Sequence, residues 1–336
     1  MLAGATSPRF EIRELIGEGS IGLVYRAYDT EVGVDVALKT LRDVGPDETY
    51  RLKREFRALA DIVHPNLVAL YELHATEGDW YFTMELVEGV SFIDWVRPPR
   101  GPGGPGRTRQ DILATSVNEV RLRGALIQLV DALLALHKAG KLHRDLKPSN
   151  VLVTSQGRLA LLDFGLVASV AENNPERLAV GTPVYMSPEQ AADQTLTEAS
   201  DWYSVGAMLY EALTGRRPFE GESEQVMTRK QTELPVNPMQ LTPRVPVDLA
   251  RLCMQLLAPS PIARPTGLAI LDQLGAAPSA KTRDMVRSAQ PASFVGRTHE
   301  LDELRRALTD TRGFVTNADG TRTVELAGPW ASTVRR

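Results

Sequence analysis

The chain has one cysteine, Cys253, among 336 residues. A lone thiol excludes an internal disulfide and a cysteine-based zinc site. It fits a reducing compartment, so a cytoplasmic setting is expected. Long apolar runs are also missing. The best stretch, "LIQLVDALLALH", is interrupted by Asp131. It falls short of the roughly 20 apolar residues that cross a bilayer. The first residues, "MLAGATSPRFEIRELIG", lack the apolar core of a signal peptide, and no membrane partner is expected. Nor is there excess positive charge. Lys and Arg number 38 against 42 Asp and Glu, a net charge of −4, which argues against a nucleic-acid surface over the whole chain.

What remains is an ordinary globular composition, 43% hydrophobic and 24% charged, with enough apolar surface for a sizeable core. The length allows two domains, or one two-lobed domain with a tail. Short β-rich stretches come first: "FEIRELIG", "GLVYRAYD" and "VDVALKTL". Gly and Asp break them, as in an antiparallel sheet. In "ETYRLKREFRALADIV", Leu52, Phe56, Leu59 and Val63 recur at helical spacing. Strands return in "HPNLVALYELHATEGDWYFTMELVEG". Residues 97–110, "RPPRGPGGPGRTRQ", are Pro/Gly-rich and basic and read as a flexible surface loop. Helical patterns then dominate in "NEVRLRGALIQLVDALLALHKAG", "SDWYSVGAMLYEALTG" and "PVDLARLCMQLL". A small β-rich part thus precedes a larger helical one, joined near residues 84–90.

Four short motifs follow one another. Gly17, Gly19 and Gly22 of "GEGSIGLV" form G-x-G-x-x-G between two strands. Alone this is no more than a glycine hairpin. A dinucleotide site would want a helix opening at the third glycine. Lys39 of "VALK" lies in the next strand, and a cation held in a nucleotide cleft needs an acid; Glu55 on the following helix is the candidate. In "HRDLKPSN", Asp145 can accept or orient a hydroxyl proton, Lys147 can neutralise a phosphoryl group, and Asn150 can bind a metal through its amide oxygen. Asp163 of "LLDFGL" ends an apolar strand and offers a second hard oxygen suited to Mg²⁺.

In this order and spacing the motifs, with "GTPVYMSPEQ" beyond them, resemble the eukaryotic-type Ser/Thr protein kinases in their bacterial style. The resemblance covers residues 10–275. It implies an α+β, two-lobed protein kinase fold, with an N-lobe over about 10–86 and a C-lobe over about 87–275. It implies ATP and Mg²⁺ in the cleft and protein Ser/Thr hydroxyls as acceptors. Gly17, Gly19 and Gly22 would cover the phosphates. Lys39 would contact them and pair with Glu55. Val24 and Ala37 would sandwich adenine against Leu152, with Met84 as gatekeeper and the backbones of Glu85 and Val87 bonding the base. Asp145 would be the catalytic base with Lys147 beside it, and Asn150 and Asp163 would hold the metal. Asp201 would brace the catalytic loop, Glu189 would pair with Arg264, and Leu59, Leu70, His143 and Phe164 would stack as a spine. Ser/Thr specificity rests on Lys147 in "DLKPSN" and Thr182 in "GTPVYMSPE".

Departures from the pattern qualify this reading. Ser149 stands where many relatives carry Glu, which weakens any preference for basic substrates. Arg144 precedes Asp145, and such arginines usually pair with a phosphorylated residue. Yet between Asp163 and Gly181 the only hydroxyl is Ser169. Glu172 or Glu176 would then supply a permanent anion, or Ser169 or Thr182 would be phosphorylated. The first alternative predicts partial constitutive activity. A pseudokinase, or a nucleotide-binding regulatory module of a larger signalling protein, is the competing reading; the intact Lys39, Glu55, Asp145, Asn150 and Asp163 count against it. A small-molecule kinase is a third, and "GTPVYMSPE" and "IARPT" count against that. A regulatory protein partner would supply any signal.

After the kinase-like residues, 276–292 read as a linker. Residues 293–336 open with "FVGRTHELDELRRAL", which resembles the start of AAA-type and signalling NTPase domains. "TRTVELAG" would be the first strand. No G-x-x-x-x-G-K-[ST] follows; the one Gly-Lys, Gly140-Lys141, belongs to the kinase-like part. The segment is therefore read as a truncated start without a nucleotide site, too short for an independent core.

Overall fold

A computed structural model describes residues 9–19, 22–41, 46–76, 79–98, 112–113, 115–163, 183–242, 244–289, 314–316 and 322–324. Two compact units divide the chain, Met1–Val286 and Arg287–Arg336.

The first unit begins with five strands, β1 (Phe10–Gly19), β2 (Gly22–Asp29), β3 (Val34–Leu41), β4 (Leu70–Thr76) and β5 (Asp79–Met84). They form one antiparallel sheet in the order β1-β2-β3-β5-β4. Alternation along a strand sends successive side chains to opposite faces. In β3, Val36 and Leu38 go to a small outer cluster with Phe10, Ala27 and Tyr81. Ala37 and Leu41 face the main core. Lys39 has the same parity and is 5% exposed, so the strand period itself drives its ammonium inward. Gly22 is required by packing, because a Cβ there would lie 1.7 Å from the Thr40 carbonyl oxygen. Backbone approach, rather than phosphate access alone, fixes glycine at that position.

Helix α1 (Pro46–Ala60) buries Leu52, Phe56 and Leu59. Val63, grouped with that face by its spacing, lies past the helix end and is exposed. The remaining strands, β6 (Gly89–Ser91), β7 (Val151–Thr154) and β8 (Leu159–Leu161), make a small antiparallel sheet in chain order.

Helices build the larger lobe. A short α2 (Phe92–Val96) precedes α3 (Glu119–Lys138), capped by the Asn118 side chain accepting from the Arg121 amide. Then come α4 (Pro188–Ala191), α5 (Glu198–Thr214), α6 (Ser223–Thr232), α7 (Pro238–Leu241), α8 (Val247–Leu256), α9 (Gly267–Gln273) and α10 (Ala280–Ala289). Every residue of α5 from Ser200 to Thr214 is buried, at roughly 1.5–3 kcal/mol of burial for each large apolar side chain. Gly206 lets α8 close on α5, since a Cβ there would sit 2.7 Å from the Leu256 Cβ. An alanine at Gly206 would push the two helices apart.

Two segments differ from their sequence reading. Arg97, the first residue of the expected flexible loop, is buried. It donates to the carbonyls of Ile112 (3.2 Å), Ala212 (2.8 Å) and Thr115. Residues 99–111 lie outside the described residues. The expected linker contains α10, which is docked. Thr282 is fully buried, and its hydroxyl meets His64 Nε2 at 3.1 Å. The same ring nitrogen reaches Asp131 Oδ2 at 3.1 Å, and the Ser279 amide donates to Asp131 Oδ1 at 3.0 Å. Local polarity suggested a linker; these buried partners hold it as structure. In the second unit, β9 (Phe314–Thr316) pairs antiparallel with β10 (Arg322–Val324). The strand expected in "TRTVELAG" begins there. The rest of 293–336 lies outside the described residues.

Candidate active site

The catalytic-loop sequence folds onto a buried anion. Asp201 on α5 accepts the backbone N–H groups of His143 (2.9 Å) and Arg144 (2.9 Å) and the His137 ring Nε2 at 2.7 Å. Burial alone would raise its carboxyl. His137, the nearby His143 and the His143 amide outweigh that and hold it below the ordinary value. Arg144 sits at φ 68°, a left-handed conformation that costs a non-glycine residue roughly 1–3 kcal/mol and persists only where its surroundings fix it. Asp201 supplies that fixation. His143 donates from Nε2 to the Leu162 carbonyl at 2.8 Å, and its Nδ1 accepts the Asp145 amide at 3.3 Å. One ring thereby spaces Asp145 from the strand end that carries Asp163.

Asp145, Lys147 and Asn150 come together. Lys147 Nζ lies 2.7 Å from Asp145 Oδ2. Asn150, on the 3-10 turn Pro148–Asn150, donates its Nδ2 to the Asp145 carbonyl (2.8 Å) and carboxylate (3.1 Å). The Asn150 carbonyl accepts from the Leu162 amide at 2.8 Å, which sets the metal-ligand candidates Asn150 and Asp163 close in space. Asp163 also has positive φ, 55°.

Across the cleft the structure corrects one pairing. Lys39 does not meet Glu55. Its Nζ lies 2.6 Å from Asp163 Oδ1, and Glu55 bonds to Lys141 instead. Burial alone would raise the Glu55 carboxyl, but the bond and charge of Lys141 and a contact from Arg54 leave it below the ordinary value. The reason is reach. With α1 where it sits, the lysine Glu55 touches is Lys141, just before the catalytic loop.

Of the adenine candidates, Val24, Ala37 and Met84 lie on the five-stranded sheet. Ala37 pairs with Met84 across β3 and β5, Val24 pairs with Lys39 and with Gly17, and both Ala37 and Met84 are buried. Gly19 pairs with Gly22 at the hairpin tip. Leu152 lies on β7, opposite Ser91. The Glu85 amide donates to the Ala69 carbonyl at 2.8 Å. Arg158 binds the Glu85 carboxylate, at 3.0 Å for one of its two bonds. No local pattern signals this contact, which joins two loops far apart in the chain.

Among the spine candidates, Leu59 and His143 are buried and Leu70 packs on the core. Phe164, Ser169, Glu172, Glu176 and Thr182 lie outside the described residues. Glu189 and Arg264 form a buried bidentate pair at 2.6 and 2.8 Å, and Ser200 donates to Glu189 at 2.8 Å. Burial opposes ionisation of Glu189. Arg264 and the Ser200 hydroxyl overcome it and hold the carboxyl below its ordinary value.

The donor set fits a hard divalent cation. The Asn150 side chain donates both its bonds to Asp145 from Nδ2, so its amide oxygen and the Asp163 carboxylate are the hard oxygens this site offers. Among the described residues no group of three or more His, Cys, Asp or Glu could hold a metal alone. Two protein oxygens therefore need phosphate and water oxygens to complete a shell, as magnesium bound with a nucleotide does.

A two-lobed fold with an Asp-Lys-Asn loop facing a Lys-Asp pair defines the class: this chain belongs to the protein kinase family. The protein kinase domain matches residues 10–274, and the family uses ATP and a divalent cation. Similar curated proteins are bacterial. The chain is 37% identical over 283 residues to the DNA damage-responsive serine/threonine-protein kinase RqkA of Deinococcus radiodurans, covering 82% of this chain and 40% of that one. It is 32% identical over 265 residues to serine/threonine-protein kinase PrkC of Bacillus subtilis, covering 77% and 38%. It is 33% identical over 270 residues to serine/threonine-protein kinase PknB of Mycobacterium tuberculosis, covering 76% and 40%. The chain thus spans about two fifths of the length of the curated relatives it matches.

Proposed function

We propose that this chain transfers the γ-phosphoryl group of ATP to Ser and Thr hydroxyls of proteins. The observation that carries the reading is the convergence of Asp145, Lys147 and Asn150 opposite Lys39 and Asp163. Asp145 takes the hydroxyl proton as the acceptor oxygen bonds to the γ-phosphorus and the β–γ bridging bond breaks, leaving ADP. Lys147 neutralises charge on the moving group. Lys39 holds the α- and β-phosphates, exchanging Asp163 for Glu55 as its partner. Asn150 and Asp163 would hold Mg²⁺, which would supply positive charge to the phosphate oxygens. Gly17, Gly19 and Gly22 cover the phosphates. Val24, Ala37, Met84 and Leu152 enclose adenine, with the backbones of Glu85 and Val87 bonding it. Most of the rate comes from positioning and charge. The acceptor class is supported by the names of the relatives, each a serine/threonine-protein kinase.

The finer parts of the reading rest on sequence. The single cysteine and the net charge of −4 support a cytoplasmic setting and a protein rather than nucleic-acid partner. Among the described residues no helix is long and apolar enough to cross a membrane. "FVGRTHELDEL" and the β9–β10 pair support reading 293–336 as the opening of an NTPase-like module.

The test is transfer from γ-labelled ATP to a generic protein, followed by acid hydrolysis. Label on phosphoserine and phosphothreonine is the expected result. Label on phosphotyrosine alone, or none on protein, contradicts it.

A further inference from the structure

Helix α6 has the sequence "SEQVMTRKQT" and two buried residues, Val226 and Lys230, four apart on one face. Lys230 is 1% exposed and forms no ion pair with a carboxylate among the described residues. Its ammonium donates to two backbone oxygens, the Met186 carbonyl at 2.5 Å and the Pro183 carbonyl. Its third side faces the Tyr203 ring, 5.6 Å from the centroid.

Few charges surround it. Glu189 on α4 is the carboxylate that acts on it, and that group is already held by Arg264 on both oxygens. Arg264 lies 5.0 Å from the same Tyr203 ring. On α5, Glu211 accepts from Tyr185, near which Arg217 also stands. On α6 itself, Arg229 pairs with Glu233. Burial pushes the Lys230 ammonium down to about 7. A charged amine in such a place opposes folding, and an apolar side chain of the same length would fill the space.

The segment it grips is next to the chemistry. Residues 183–186 lead into α4, whose Gln190 donates to the Arg144 carbonyl at 2.9 Å, one residue before Asp145. Val184 and Tyr185 are buried, with the Tyr185 carbonyl held by Ser204 at 2.8 Å. Pro183 and Met186 are only half-buried. The two residues that face outward are therefore the two whose carbonyls Lys230 holds.

We propose that Lys230 is a positioning residue for the protein substrate, fixing the Pro183–Met186 backbone as the platform on which polypeptide beside the acceptor hydroxyl lies. This rests on the protein-kinase reading above. ATP is gripped elsewhere, by the sheet and Lys39, so the two substrates separate the effect.

The experiment uses the full 336-residue chain, with a generic protein acceptor, and compares wild type with Lys230→Met. The expected result is a KM for protein raised about tenfold or more, with the KM for ATP within about twofold of wild type. Lys230→Gln keeps N–H donors at the site and should recover part of the loss, with a KM for protein between those of wild type and Lys230→Met. An unchanged KM for protein in Lys230→Met, an equal rise in both KM values, or a Lys230→Gln no better than Lys230→Met overturns the inference. A wild type that phosphorylates no protein overturns the kinase reading as well.

Discussion

Glu55 on helix α1 is bound to Lys141, and Lys39 is bound to Asp163 at 2.6 Å. The two acids and two lysines form alternative pairs. A carboxylate that binds one lysine is withheld from the other. The observed pairing occupies Asp163, a candidate metal ligand, with the nucleotide lysine. Lys141 is the residue that holds Glu55 in this pairing.

Removing that hold should favour the exchange. Lys141→Met leaves Glu55 with the exposed Arg54 alone, at 3.4 Å, and so favours a pairing with Lys39. Basal protein phosphorylation should rise by up to about tenfold, the effect of a ~1.4 kcal/mol population shift. Steady-state rates at saturating ATP check this. Unchanged or lower activity in a folded Lys141→Met protein contradicts it. Glu55→Gln should abolish the gain in the double variant.

The Glu189–Arg264 pair carries stability rather than chemistry. Glu189→Gln leaves a buried guanidinium short of its counter-charge, at a cost of about 3 kcal/mol. The Arg264 bonds to the Ala258, Ala199 and Pro259 carbonyls keep the loss from being larger. Urea unfolding measures it. A change below about 1 kcal/mol would show the pair to be energetically neutral.

Lys230 should make stability rise with pH. Its folded value is about 7 against an ordinary 10.5. Between those values the unfolded chain binds the proton and the folded chain does not, so raising pH favours the fold by about 1.4 kcal/mol per unit of pH. Below 7 both states are protonated and the penalty is complete. Lys230→Met lacks this dependence. Its stability advantage over wild type should be largest near pH 6 and shrink by pH 9, read from urea midpoints. Parallel pH curves for the two proteins would contradict the buried charge.

What the sequence made legible was local. Asp145, Lys147 and Asn150 meet because five intervening bonds of chain and one 3-10 turn leave them little choice. Strand parity placed Lys39 in the cleft. The Lys39 partner was not legible, because it depends on where α1 rests against the other lobe, a tertiary fact. Lys141 had been noted only as half of a Gly-Lys pair. Arg97 and Thr282 sit in stretches whose composition is that of surface chain; each is buried by partners far away in sequence. Lys230 lies in the polar helix sequence "SEQVMTRKQT", where its four-residue spacing from Val226 is the only local sign of an inward face.

Asp145 is proposed to take the hydroxyl proton in protein phosphorylation. Asp145→Asn keeps the side-chain shape and an oxygen for Lys147 and Asn150. The direct measurement is single-turnover transfer from labelled ATP to protein, paired with nucleotide affinity. The account predicts a fall in transfer of about 10²- to 10⁴-fold with ATP affinity retained. Transfer at the wild-type rate by Asp145→Asn would contradict it.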